Sequence, residues 1–258
     1  MIKCKRVFSA SLFMGLILLG SVAMPLSVEA QCPAPEKLEP GIKKIFPKLQ
    51  FEMMKVSPSE VSGFCRIQIK VGAQIHLLYA DSRGDFLFNG NLFEIKSARN
   101  LTQETVQYLN RFTPEEMRQL EPLTAFTMGH GKKTVYLVTD PQCPYCKDAE
   151  VLLKKIMAKE NLLSVRFLLF PLASHKGAKE QCISILCDKR GLEGYDSGYQ
   201  SDNQCTEGIN KIESTLALLQ KKGINSTPTF IYSDGIFIPG LPSEGELRRR
   251  LGLPKGNQ

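Results

Sequence analysis

Histidine is scarce in this chain, and charge of one sign is nowhere strongly concentrated. Only His76, His130 and His175 occur among 258 residues. None stands at a spacing that identifies a partner, so no catalytic role is assigned to them. The formal net charge of +7 is mild and spread along the sequence. It favours solubility and gives no reason to expect nucleic acid as a partner. Arg248-Arg249-Arg250 is the one dense basic run, and its place in a terminal helical pattern predicts a solvated face. Internal repeats and low-complexity tracts are absent. A comfortable membrane span is lacking too, because the apolar run Leu12 to Leu19 is short and lies close to Pro25 and Glu29.

That run fits a secretion signal instead. Lys3, Lys5 and Arg6 form a basic start, and Val28-Glu29-Ala30 supplies a small-residue cleavage site before Gln31. The competing reading is an uncleaved N-terminal anchor, which the shortness of the run disfavours. Gln31 before Cys32 is a poor lipoprotein site, where a small residue is wanted. Residues 1–30 are therefore expected to be a signal peptide cleaved after Ala30. Their loss removes three positive charges and one negative, taking +7 to +5. The remaining length suits one large domain or two small ones.

Cys4 leaves with the signal, and seven cysteines stay: Cys32, Cys65, Cys143, Cys146, Cys182, Cys187 and Cys205. In an oxidising compartment most should be paired. The odd number leaves at least one thiol free or reserved for chemistry.

Residues 64–95 read as β structure. Cys65, Ile67, Ile69 and Val71 alternate with polar residues, and Ile75, Leu77 and Tyr79 continue the pattern. Asp85 to Phe88 and Leu92 to Ile95 suggest further strands around Asn89-Gly90. So small a sheet covers one face only, and a second copy of the chain is the simplest cover for the other. Thr113-Pro114-Glu115-Glu116 is a helix start with a capping box, within a helical connector over residues 101–130. Beyond it, Thr134 to Val138 is a continuous apolar run suited to a strand buried on both faces. Ala149, Leu152, Leu153 and Ile156 mark one face of a helix. Val165 to Phe170 is a second buried strand, completing a right-handed βαβ unit. Ile209, Ile212, Leu216 and Leu219 mark another helix, and a hairpin turns at Ser233-Asp234-Gly235.

The run Cys143-Pro144-Tyr145-Cys146 falls between the first of these strands and its helix. There the unpaired N–H groups and dipole of a helix N-terminus favour the thiolate of Cys143, making it a nucleophile for disulfide exchange. Cys146, nearly one turn later, is placed to resolve a mixed disulfide. Lys147 is expected to be a solvated neighbour. A zinc site would need a second ligand pair, and Cys182 with Cys187 has looser spacing on another element. A purely structural disulfide is strained at so short a loop. Copper(I) suits soft thiolates, but no Met or His cluster accompanies them. No metal or cofactor is therefore expected. Ser226-Thr227-Pro228-Thr229 opens the late hairpin, and a proline leading into a central strand is awkward unless its peptide bond is cis. Such a turn would leave backbone groups free to pair with a bound peptide.

These residues, Val138-Thr139-Asp140-Pro141-Gln142 leading into the cysteine motif, with Ser226-Thr227-Pro228-Thr229 and Ile238-Pro239-Gly240, resemble the periplasmic disulfide isomerases DsbC and DsbG. The resemblance covers nearly the whole mature chain. It implies an α+β / α/β architecture: a small β-rich, cystatin-like dimerisation domain (31–100), a linker helix (101–130) and a thioredoxin-like catalytic domain with a helical insert (131–258). It also implies a periplasmic homodimer with Cys143 as nucleophile, Cys146 as resolving thiol, and Thr227 and Pro228 as the substrate-binding cis-proline pair. Misfolded or oxidised exported proteins would be its substrates, and a membrane electron donor of the DsbD type would keep the dithiol reduced. A structural disulfide in the insert falls on Cys187 and Cys205, closing a glycine-containing loop (Gly191, Gly194, Gly198) expected to have little structure of its own. Closing it is worth about 3 kcal/mol in the chain-entropy model. Cys32 and Cys65 have no counterpart in that pattern; they either pair, tying down the N-terminus, or act as buried small hydrophobes. Cys182, on an apolar helix face, is the expected odd thiol.

The resulting expectation is a dimeric isomerase or reductase. Two rivals stand beside it: a DsbA-like dithiol oxidase, against which the extra N-terminal domain argues, and a holdase chaperone with incidental cysteines.

Overall fold

A computed structural model of the chain describes residues 32–254. The expected signal peptide and its processing site after Ala30 lie outside the described residues. Among the described residues, no helix is long and apolar enough to cross a membrane.

The chain opens with α1 (Pro35–Ile45), which starts on a helix-compatible proline and buries Leu38 and Ile42, one turn apart. They face an antiparallel sheet of β1 (Glu52–Pro58), β2 (Phe64–Val71), β3 (Gln74–Asp81) and β4 (Leu87–Phe88), in that order. Ile67, Ile69, Leu78 and Ala80 complete this small core. Cys32 and Cys65 are joined by a disulfide, so the segment before α1 is tied to β2. The alternation over residues 64–79 gives the two long strands, as expected. The end of that region differs. β4 pairs with β3, whereas β5 (Phe93–Glu94) pairs with β6 (Arg99–Asn100) in a separate ladder, so no hairpin forms about Asn89-Gly90.

The segment expected to be one helical connector is two helices and a strand: α2 (Leu101–Asn110), α3 (Pro114–Leu120) and β7 (Phe126–Met128). Asn100 caps α2, and the capping box of Thr113 and Glu116 opens α3. Between the helices Phe112 is buried edge-on to Phe237 with ring centroids 5.8 Å apart, and this docking breaks the helix. The Phe112 N–H donates to the Gly235 carbonyl at 2.8 Å. Gly235 has φ +81, and a Cβ there would stand 2.2 Å from the Phe112 carbonyl oxygen. Only glycine fits that approach.

The second half is built on a five-stranded sheet. Its strands are β7, β8 (Lys133–Thr139), β9 (Leu163–Leu169), β10 (Thr229–Tyr232) and β11 (Phe237–Pro239), ordered β11-β10-β8-β9-β7. β8 and β9 are parallel and joined by α4 (Pro144–Lys159); the other pairings are antiparallel. The apolar run in β8 serves both faces. Val135 and Leu137 face a core with Leu153, Ile156, Phe167 and Phe230; Tyr136 and Val138 face one with Phe112, Leu168, Leu219 and Ile231.

Between β9 and β10 lie α5 (Ala178–Cys187), α6 (Gly191–Ser197) and α7 (Thr206–Lys221). The loop expected to lack structure is thus largely the helix α6. Its glycines do not unravel it, because Tyr195 anchors it with a fully buried ring and Gly198 ends it in the left-handed conformation. The Cys187–Cys205 disulfide closes this segment, and Gly208 packs against it where a Cβ would stand 2.6 Å from the Cys187 sulfur.

The chain ends its described course in α8 (Glu244–Leu251). The basic run here is not the solvated face its sequence suggests. Arg249 is exposed, but Arg248 is buried: its guanidinium donates to Glu244 at 2.9 Å, to the Pro254 carbonyl at 3.0 Å and to Glu160. Packing of Leu247 and Leu251 into the core turns Arg248 inward against two carboxylates. Removing one member of such a cluster strands the others. Arg248→Ala is expected to lower stability in urea denaturation by about 2 kcal/mol, since Glu160 and Glu244 keep some solvent contact. Arg249→Ala should change it by less than about 0.5 kcal/mol.

Candidate active site

β8 and β9 run parallel, and β10 runs antiparallel to β8, so three chain segments meet at one sheet edge. They are the turn after β8, the loop after β9 and the turn before β10. The turn after β8 leads through Asp140-Pro141-Gln142 to Cys143, which is the N-cap of α4, with Pro144 at the first helical position. Cys143 accepts the N–H groups of Cys146 and Lys147 on its carbonyl at 3.1 and 3.4 Å. Pro144 and Tyr145 point outward, while Cys143 and Cys146 point in and are 4% and 0% exposed.

The turn before β10 faces this pair. The Thr227–Pro228 peptide bond is cis, and the Cys143 thiol donates to the Thr227 carbonyl at 3.6 Å. The Thr229 hydroxyl donates to Ser226 at 2.8 Å and braces the turn from within. The structure thus brings together Cys143, Cys146, Thr227 and Pro228. Cys187 and Cys205 lie apart, in the insert.

The two thiols occupy different electrostatic surroundings. Burial pushes the Cys146 thiol up to about 11, opposed by hydrogen bonds from the Thr139 hydroxyl and the Asp140 backbone N–H. Cys182, on α5, is fully buried. Desolvation, with the Asp140 carboxylate adding to it, holds this thiol well above its ordinary range, which makes it an inert core group.

Several contacts beside the dithiol do not follow from the sequence pattern. Lys147 is not merely solvated: it donates to the Tyr195 carbonyl at 2.9 Å and stands 4.2 Å over that ring. The Tyr195 hydroxyl shares a 2.6 Å hydrogen bond with Thr139 beneath Cys146. Lys154 of α4 bonds Asp196 of α6 at 2.8 Å, so the insert is fastened along α4. Asp140, named from sequence only within the run leading into the cysteine motif, is fully buried, and His175 lies 3.0 Å from its carboxylate. Tyr195 and His175 are 52 and 32 residues from Cys143, too far for any spacing rule to connect them. Among the described residues no cluster of metal-ligating side chains occurs.

Two family models divide the chain much as the two sheets do. The disulfide bond isomerase protein N-terminal domain matches residues 29–103, and a thioredoxin-like domain matches residues 124–253. The chain belongs to the DsbC-like thioredoxin superfamily proteins. Among curated proteins of this family it is 23% identical over 229 residues to the probable thiol:disulfide interchange protein DsbC of Bordetella avium, covering 86% of this chain and 77% of that one. Against the DsbC of Salmonella typhimurium it is 23% identical, covering 81% of this chain and 84% of the other. Against that of Escherichia coli K12 it is 22% identical, with 82% and 86% covered. This DsbC-like protein is a thiol:disulfide oxidoreductase, and a DsbA-like oxidase is not favoured over that reading.

The unequal thiols make a measurable difference. With burial pushing it up to about 11, the Cys146 thiol stays protonated at pH 8, and only the thiolate is alkylated. Brief iodoacetamide treatment of folded, reduced protein at pH 8 should therefore label Cys143 and leave Cys146 and Cys182 unlabelled until denaturant is added. Peptide mass spectrometry checks this; equal labelling of Cys143 and Cys146 would contradict the asymmetry.

Proposed function

We propose that this chain is a periplasmic disulfide isomerase with reductase capacity, acting as a homodimer on misfolded or oxidised exported proteins. The observation that carries the reading is the thiol pair at the start of α4 facing the cis Thr227–Pro228 turn, in a chain that also carries the isomerase N-terminal domain. The signal peptide ends at Ala30, residues 31–100 form the dimerisation domain and 101–130 the linker. The catalytic domain is 131–258, with β7 of the linker adding an edge strand to its sheet.

The Cys143 thiolate attacks one sulfur of a substrate cystine, and the other substrate sulfur leaves as a thiolate. The Thr227 carbonyl and the cis turn offer backbone groups beside the mixed disulfide, where an extended substrate segment can pair. Two exits follow. A substrate thiolate attacks the mixed disulfide, releasing Cys143 with the substrate's disulfides rearranged and no net change in electrons. Alternatively Cys146 loses its proton and attacks the Cys143 sulfur. The substrate then leaves reduced by two electrons, and the Cys143–Cys146 disulfide remains. A membrane donor of the DsbD type returns those two electrons. The Cys187–Cys205 pair has no part in this exchange and braces the insert.

Refolding of a protein with scrambled disulfides tests the assignment. Cys143→Ala should abolish activity. Cys146→Ala should keep part of the rearrangement, lose net reduction and accumulate mixed disulfides visible on non-reducing gels. Thiol trapping in the cell envelope should find the dithiol mostly reduced; a mostly oxidised pair would favour the oxidase reading, and full activity of Cys143→Ala the holdase reading.

A further inference from the structure

Asp140 follows β8 directly, its side chain is wholly buried, and each of its polar groups is used beside the dithiol. Its carbonyl accepts the Cys143 N–H at 3.1 Å. Its own backbone N–H faces the Cys146 thiol. Oδ1 accepts the Gln142 N–H at 2.7 Å. Oδ2 accepts the Leu172 N–H at 2.6 Å and the Nδ1–H of His175 at 3.0 Å.

The loop after β9 is thereby fastened to the loop before α4. Gln142 reinforces the joint by donating to the Lys176 carbonyl and to Gln181, each at 3.2 Å. The His175 N–H returns to the Leu172 carbonyl at 2.9 Å, so the imidazole sits in a closed turn aimed at the carboxylate. A buried carboxylate is costly unless its oxygens are satisfied and its charge is balanced. The other ionisable groups that face Asp140 are Cys146 of α4, Cys182 of α5 and Tyr195 of α6. Burial keeps all three neutral, so the side-chain hydrogen bond that the carboxylate receives comes from His175, 25% exposed and 3.0 Å away.

We propose that Asp140 and His175 form a positioning pair for thiol–disulfide exchange, in which His175 holds the Asp140 carboxylate so that the Asp140 backbone fixes both cysteines. Neither side chain touches a reacting sulfur; both act through the Asp140 backbone. If the carboxylate loses its orientation, the Cys143 N–H and the Cys146 thiol lose a fixed partner together, and the distance between nucleophile and resolving thiol is no longer set. This rests on the reading of Cys143 and Cys146 as the reactive dithiol.

The test uses the mature full chain, with reduction of insulin as the readout, resolved into kcat and KM, and the redox equilibrium of the dithiol with glutathione measured beside it. His175→Ala is expected to lower kcat about tenfold, leave KM within about twofold, and move the glutathione equilibrium at least about threefold. His175→Asn, whose amide N–H can stand where Nδ1–H stood, should restore kcat to within about threefold of wild type. Asp140→Asn keeps the volume but, in either amide orientation, sets an NH2 against at least one N–H donor, and should lose kcat as His175→Ala does. The inference is overturned if His175→Ala or Asp140→Asn keeps wild-type kcat and redox equilibrium. It is also overturned if a folded His175→Asn is as slow as His175→Ala. Cys143→Ala separates the two levels: full activity there removes the dithiol reading itself, while an inactive Cys143→Ala beside an unaffected His175→Ala removes only the positioning pair.

Discussion

The parallel ladder between β8 and β9 is the constraint on which the site depends. Its register sets Thr139 opposite Leu169, and the Thr139 carbonyl accepts the Phe170 N–H at 2.7 Å just past the end of the pairing. Both strands therefore stop at the same level. The chain leaving β8 must turn into α4 there, and the chain leaving β9 must turn beside it. A slip of one residue would send Val135 and Leu137 to the face now held by Tyr136 and Val138, at the expense of both cores. The two cores thus fix the register, and the register fixes where Asp140, Cys143 and the 171–177 loop meet. β10 completes the site from the other side, because its pairing with β8 places Thr229 opposite Val138 and the cis turn just ahead of it.

Within that frame the two thiols differ for a simple reason. Cys143 occupies the N-cap of α4, and Cys146 lies nearly one turn further in, beside the Thr139–Tyr195 hydrogen bond and out of solvent. If both thiols were equally reactive, the second would attack a mixed disulfide on the first at once and release the substrate reduced. In the exchange proposed above, a protonated inner thiol gives a mixed disulfide on Cys143 time to rearrange before it is resolved. The cost falls on the reduction route, where Cys146 must lose a proton in an apolar setting. The burial that protects the isomerase exit is the same burial that slows the reductase exit.

Much of this was legible in the sequence, because periodicity and caps are local. The strand at 64–71, the β8 run, the apolar face of α4 and the capping box at Thr113 each follow from patterns within a dozen residues. What escaped was non-local or locally contradictory. Pro40 and Gly41 stand inside α1, and only the burial of Leu38 and Ile42 against β2 and β3 carries the helix through them. β1 carries an irregularity between Met53 and Lys55 that breaks its alternation, so no period-2 signal marks it. α6 is held by one buried tyrosine against two glycines within it. Arg248 reads as surface because one of its two carboxylate partners, Glu160, comes from elsewhere in the chain, 88 residues away, although Glu244 is local. In the site the division is the same. The motif and the proline announced themselves, whereas the Asp140–His175 contact spans 35 residues and depends on the β8–β9 register.

The N-terminal half leaves a different demand unmet within one chain. Phe86, Phe88, Phe93 and Ile95 are all more than half exposed, Ile95 at 96%, and they cluster in the stretch that carries β4 and the β5–β6 ladder. Apolar side chains concentrated in this way on a small sheet normally meet another surface. A second copy supplies one by symmetry, since each partner offers the same patch. Such a dimer would matter to the chemistry only if the catalytic half kept a defined relation to the N-terminal half. The contacts between the halves provide that. Phe112 docks on Gly235, Lys222 bonds Glu116 at 2.8 Å, Arg250 bonds Gln107 at 3.0 Å, and Gln74 reaches the Gly223 carbonyl at 3.4 Å. With three contacts from the connector and one from β3 holding the halves together, joining two chains through their N-terminal sheets would fix the two dithiols relative to each other. A substrate held by both could then be attacked at one cysteine pair while its other segments stay bound, which favours repeated rearrangement over release after a single exchange.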